Sequence, residues 1–84
     1  MKIGVAGSLE SNDALITVTT SDKTEITIKS IVYDFFHQQI FDVIIKTLDE
    51  LDIKNVSVLC EDKGALDYTI RARLITALSR MENE

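Results

Sequence analysis

Residues 14–29 read Ala14-Leu15-Ile16-Thr17-Val18-Thr19-Thr20-Ser21-Asp22-Lys23-Thr24-Glu25-Ile26-Thr27-Ile28-Lys29. Apolar and polar side chains alternate on both sides of a short polar link, and a period of two marks a half-buried strand. In the first run Ile16 and Val18 face inward and Thr17 and Thr19 outward. In the second, from Thr24, Ile26 and Ile28 face inward and Glu25, Thr27 and Lys29 outward. A three-residue link, Ser21-Asp22-Lys23, predicts that the two strands form an antiparallel hairpin.

Outward from this pair the periods change. Before it, Met1 to Val5 alternates, with Met1, Ile3 and Val5 on one face and Lys2 and Gly4 on the other, which suits a short edge strand. Residues 6–13, Ala6-Gly7-Ser8-Leu9-Glu10-Ser11-Asn12-Asp13, read as a loop. Gly7 permits positive φ, and Ser11-Asn12-Asp13 favours local side-chain bonds over a ladder. After the pair, Ser30 is a candidate N-cap for a helix from about Val32 to Leu51. Its apolar residues Phe36, Ile40, Val43, Ile44, Leu48 and Leu51 follow helical spacing, with Asp34, Gln38, Asp42, Lys46 and Glu50 on another face.

A fourth strand, Val56 to Cys60, follows, with Val56, Val58 and Cys60 on one face. Glu61-Asp62-Lys63-Gly64 is a second polar loop, and Asp62 is a candidate N-cap. The second helix runs from about Ala65 to Met81, with Leu66, Ile70, Leu74, Ala77, Leu78 and Met81 as its stripe. Arg71, Arg73 and Arg80 lie largely off that stripe, Arg71 and Arg73 either as docking residues or as the polar side of a helix. The order β-β-β-α-β-α predicts a two-layer α+β fold: a mostly antiparallel four-stranded sheet with two helices on one face. The helix between the third and fourth strands also permits a parallel pairing there, hence a mixed sheet. At 84 residues, the expectation is one domain over 1–84.

Composition excludes several classes. The formal net charge of −5 and the absence of a basic run argue against nucleic-acid or anionic-membrane binding. No apolar run approaches the ~20 residues that span a bilayer, and the N-terminal apolar stretch is too broken for a signal peptide. One cysteine, Cys60, in a strand reads as a buried thiol in a reducing compartment, so the expected location is the cytoplasm. With one histidine, His37, and one cysteine there is no soft metal site, no helical His pair and no convincing catalytic triad. The expectation is a non-catalytic chain, with metal ligands none and catalytic residues none. What remains is an exposed loop bearing two hydroxyls, and an accessible hydroxyl can be modified by another enzyme.

Two segments then matter together: Val5-Ala6-Gly7-Ser8-Leu9-Glu10-Ser11-Asn12-Asp13, and Asp62-Lys63-Gly64-Ala65-Leu66-Asp67 followed by Ile70-Arg71-Ala72-Arg73. The pair resembles the citrate lyase acyl carrier protein, or gamma chain, family, over nearly the whole chain. Tyr68 departs from it, standing where many members have a cysteine. The resemblance implies that Ser11, in the Leu-Glu-Ser segment, carries 2'-(5''-phosphoribosyl)-3'-dephospho-CoA through a phosphodiester, with Ser8 the weaker candidate. It also implies an acyl carrier subunit that presents acetyl and citryl thioesters to the citrate lyase alpha and beta subunits, for cleavage of citrate to oxaloacetate and acetate. A prosthetic-group transferase would be a further partner. Two other readings stand beside it: the carrier subunit of malonate decarboxylase, and an unmodified α+β protein-interaction module.

Overall fold

The computed structural model describes the backbone of residues 1–30 and 33–84 and the side chains of 1–30 and 36–84. The elements are β1 (Ile3–Gly7), β2 (Ala14–Thr20), β3 (Glu25–Ser30), α1 (Tyr33–Glu50), β4 (Val56–Asp62) and α2 (Asp67–Glu82). The expected element order and the α+β class therefore hold. Two expectations, Val32 as the first helical residue and Asp34 on the polar face, fall outside the described residues.

The hairpin does not form. The sheet order is β1-β2-β4-β3, so β4 separates the two strands that the short link joins. β1 and β2 pair antiparallel, as do β2 and β4, whereas β3 and β4 pair parallel, making the sheet mixed. The physical reason lies in which strand tolerates an edge. Val56 to Cys60 carries no charge and suits the interior, while β3 bears Glu25 and Lys29, which blunt a free edge. A parallel β3–β4 pair also gives α1 its crossover. The link passes over the start of β4: Ser21 N–H donates to Asn55 O at 2.9 Å, and Asn55 N–H donates to Thr24 Oγ1 at 3.0 Å.

Register builds the core in rows. Ala6, Ile16, Cys60 and Ile28 align across the sheet, and Gly4, Val18, Val58 and Ile26 form the next row. These rows meet Ile40, Ile44 and Leu48 of α1 and Ile70, Leu74, Ala77, Leu78 and Met81 of α2. Thus β1 alternates as expected, but its small residues Gly4 and Ala6 face the helices, and Ile3 and Val5 lie exposed on the open side. Phe36, Leu51 and Leu66, expected on the helix stripes, are also exposed.

One helix start is set by a different residue from the one expected. Ser30 is the last residue of β3, and its expected role as N-cap of α1 turns on residues outside the described ones. α1 stops with Asp52 at φ 53° and Ile53 N–H donating to Leu48 O at 3.0 Å, a Schellman closure with Ile53 packed on the core. Asp62, the expected N-cap of α2, does not cap it. The N-cap is Leu66, which has no capping side chain, and Asp67 supplies the negative charge of the first turn. Asp62 is instead the buried end of β4. Its Oδ1 accepts from Ala65 N–H and its Oδ2 from Ser30 Oγ–H, both at 2.8 Å, so it fixes the turn that precedes α2.

Candidate functional site

The loop between β1 and β2 begins at Gly7, whose φ is 97°. A Cβ there would overlap the carbonyl oxygen of Ala14, so both the conformation and the space require glycine. The loop then closes on itself. Asp13 N–H donates to Glu10 O at 3.2 Å, placing Ser11 and Asn12 at the two central positions of a tight turn, with Asn12 at φ 67°. Asn12 N–H donates to Lys63 O at 2.8 Å and Lys63 N–H donates to Asp13 O at 2.9 Å. These bonds extend the β2–β4 ladder beyond Ala14 and Asp62 and bring together the two segments that stand out in the sequence.

The two serines have different roles in this geometry. Ser8 Oγ–H donates to Asp13 Oδ2 at 2.8 Å, and Ser8 Oγ accepts from Glu10 N–H at 3.3 Å. Ser11 is exposed at the apex, and among the described residues no hydrogen bond involves its side chain. Leu9 beside it is also exposed. A group joined to Ser11 Oγ would displace no internal bond, whereas one on Ser8 would break the loop's own wiring.

Asp13 is the hub. Its Oδ1 accepts from Arg73 Nε–H at 2.9 Å and Ala14 N–H at 2.7 Å, and its Oδ2 accepts from Arg73 Nη2–H at 3.1 Å besides Ser8. The guanidinium, followed by the Ser8 hydroxyl and the Ala14 amide, holds the Asp13 carboxyl far below the usual carboxylate range, and Asp13 in turn raises Arg73. Because the folded value is depressed, the stabilisation from this pair is fully present above the ordinary value near 3.8 and is lost only as pH falls toward the folded value. A carbon-13 NMR titration of the Asp13 carboxyl is expected to show it still ionised below pH 3.8. In Arg73→Ala the midpoint is expected to move upward, and an unchanged midpoint would refute the pairing in solution.

Sequence reasoning left the arginines open between docking and a plain polar face, and the structure engages both internally. Arg71 Nη1 lies 2.8 Å from Glu50 Oε2 and ties α2 to α1, while Arg73 ties α2 to the loop. The Asp13–Arg73 link had no signal in spacing, since the partners are 60 residues apart. Cys60 is fully buried, and burial, followed by the charges of Asp62 and Glu61, pushes its thiol up to about 12. Such a thiol is not a nucleophile near neutral pH. His37 lies on α1, partly exposed, and no cluster of metal-ligating side chains occurs among the described residues. No described helix is long and apolar enough to cross a membrane.

A small α+β fold whose β1–β2 turn presents an exposed serine without hydrogen bonds to described residues, together with an inert thiol, fits the class of carrier proteins, and comparison with known proteins agrees. A family model described as the malonate decarboxylase delta subunit (MdcD), an acyl carrier family, matches residues 1–81. The chain is 47% identical over 76 residues to the citrate lyase acyl carrier protein of Treponema denticola, covering 90% of this chain and 87% of that one. It is 54% identical over 78 residues to the protein of the same name from Streptococcus mutans, covering 90% and 76%. With that of Haemophilus influenzae the identity is 41% over 83 residues, covering 99% and 87%. The chain belongs to the citrate lyase acyl carrier protein family.

Proposed function

We propose that this chain is the cytoplasmic acyl carrier subunit of a citrate lyase, with 2'-(5''-phosphoribosyl)-3'-dephospho-CoA joined to Ser11 Oγ by a phosphodiester. The observation that carries the reading is the contrast between the two hydroxyls: Ser8 is committed to Asp13, and Ser11 projects from the turn. The group, when bound, supplies a terminal thiol on a long flexible arm, a chemistry that buried Cys60 does not offer. The chain's own residues present the attachment point and hold it still. Asn12 and Lys63 fasten the turn to the sheet, Asp13 and Arg73 fasten it to α2, and the apex stays clear for a transferase and for the alpha and beta subunits. Tethering in such a subunit raises the local concentration of the carried acyl group at each active site.

Intact-mass spectrometry of the protein from its native host, with mapping of the tryptic fragment that ends at Lys23, tests this directly. The expected result is a mass increase equal to the prosthetic group, located on Ser11. An unmodified Ser11 in cells actively degrading citrate would overturn it in favour of an unmodified interaction module. The description of the matching family model favours a second reading, the carrier of a malonate decarboxylase. Purification from native cells separates the two by the acid that the accompanying enzyme consumes.

A further inference from the structure

We infer that Asp13 and Arg73 are positioning residues for the modification of Ser11: the guanidinium, projecting from α2, holds the Asp13 carboxylate so that the turn presents Ser11 Oγ in one orientation. The inference rests on the attachment reading above and adds residues that contact neither the arm nor the transferase.

The loop has little else to hold it. Leu9 is exposed rather than packed, and the turn's backbone bonds fix only its Asn12–Asp13 side to Lys63. Asp13 joins the start of the loop to the first residue of β2, since its carboxylate receives both Ser8 Oγ–H and Ala14 N–H. Arg73 fixes that carboxylate through two parallel bonds at 2.9 and 3.1 Å, the fork geometry that lysine cannot reproduce. The fork starts from a firm base: Arg73 precedes fully buried Leu74, and its Cδ lies against Gly7, 3.2 Å from where a Cβ would stand. The chain of support therefore runs from the core, through Arg73 and Asp13, to the turn that carries Ser11.

Attachment is a phosphoryl transfer. Ser11 Oγ forms a bond to phosphorus of a phosphoanhydride-activated form of the arm, the anhydride P–O bond breaks, and the leaving phosphate takes the electron pair. The hydroxyl proton passes to a base of the transferase or to solvent. Such a displacement needs the attacking oxygen in line, and a misplacement of about 1 Å costs on the order of a hundredfold in rate. A mobile turn would satisfy that alignment only part of the time.

The experiment incubates the full-length apo chain with its transferase and the activated donor, following mass gain for wild type, Ser11→Ala, Arg73→Ala, Arg73→Lys, Asp13→Asn and Asp13→Asn/Arg73→Ala. Arg73→Ala is expected to lower kcat/KM about tenfold or more, chiefly in kcat, with Arg73→Lys intermediate. The double variant is expected to lose no more than the worse single one, because Arg73 acts through Asp13. Amide exchange at Asn12 and Ala14, followed in parallel without any reaction, should accelerate in Arg73→Ala, with the unfolding midpoint little changed. Wild-type rates in Arg73→Ala, with Ser11→Ala unmodified, would overturn the positioning role and leave the attachment reading standing. Losses that add in the double variant would make Arg73 a direct docking residue and overturn it too. Mass gain in Ser11→Ala would overturn the attachment reading itself. Should Arg73→Ala fail to fold, Arg73→Lys carries the same comparison, and its equality with wild type counts against the inference.

Discussion

Ser11→Ala is expected to leave the protein without its prosthetic group and to reduce citrate cleavage by the assembled lyase to background. The substitution removes one oxygen, exposed and free of hydrogen bonds to described residues, so the fold should be unaffected, within about 0.5 kcal/mol. The functional loss should be complete because no neighbour can substitute. Ser8 Oγ sits between the Asp13 carboxylate and the Glu10 amide, and reaching out for a phosphate would mean surrendering both. Cys60 cannot carry the acyl group either, being fully buried with its thiol pushed up to about 12. Ser8→Ala is therefore the informative partner variant. It should still accept the group, more slowly, since Asp13 loses one of its four donors. Mass spectrometry of both variants co-expressed with the modifying enzymes separates the cases. An added mass retained in Ser11→Ala would move the attachment to another hydroxyl.

How far the sequence reveals this arrangement depends on the range of the interaction. Local periodicity finds all six elements and most of their buried faces, because alternation in 14–20 and helical spacing in 67–82 reflect nearest-neighbour geometry. It misplaces β3, since a short link between alternating strands specifies proximity but not adjacency. The preference of the uncharged stretch Val56 to Cys60 of β4 for the sheet interior is a property of the whole sheet. Asp62 illustrates the same limit. An acidic residue before a helix reads as a cap, yet its partners are Ser30, 32 residues away, and a turn amide. In the candidate site the serines and the two polar loops are visible as segments. The family resemblance separates Ser11 from Ser8, but the residue chemistry alone does not, because Ser8 is set apart by the Glu10 amide and by an Asp13 carboxylate that Arg73 orients across 60 residues. Long side chains that meet across the fold leave no periodic trace.

Gly4→Ala is expected to be among the most destabilising single substitutions in the chain. A methyl group on a strand usually helps slightly, because alanine restricts the unfolded chain more than glycine does, by about 0.4–1 kcal/mol. Here the sign reverses. A Cβ at Gly4 would overlap the Ala77 carbonyl oxygen and come within 2.6 Å of the Met81 backbone nitrogen. Both atoms belong to the main chain of α2, so no rotamer change relieves the contact; the helix must lift from the sheet. Lifting it loosens Ile70, Leu74 and Leu78 together, all of which are buried against the strands. Overpacking of this kind costs about 1–3 kcal/mol even when side chains can adjust, and a backbone contact should reach the top of that range or beyond it. A chain of this length has roughly 4–13 kcal/mol of total stability, so the loss is a large share. Urea unfolding of Gly4→Ala should show a sharply lowered midpoint, and Gly4→Val should fail to fold. Gly64→Ala is the control: its Cβ would meet nothing closer than Asn12 Oδ1 at 3.6 Å, leaving only the strain of a φ of 91°. A Gly4→Ala midpoint at or above wild type would mean that α2 does not meet β1 at backbone distance. The firm base from which Arg73 reaches the Ser11 loop would then be lost as well.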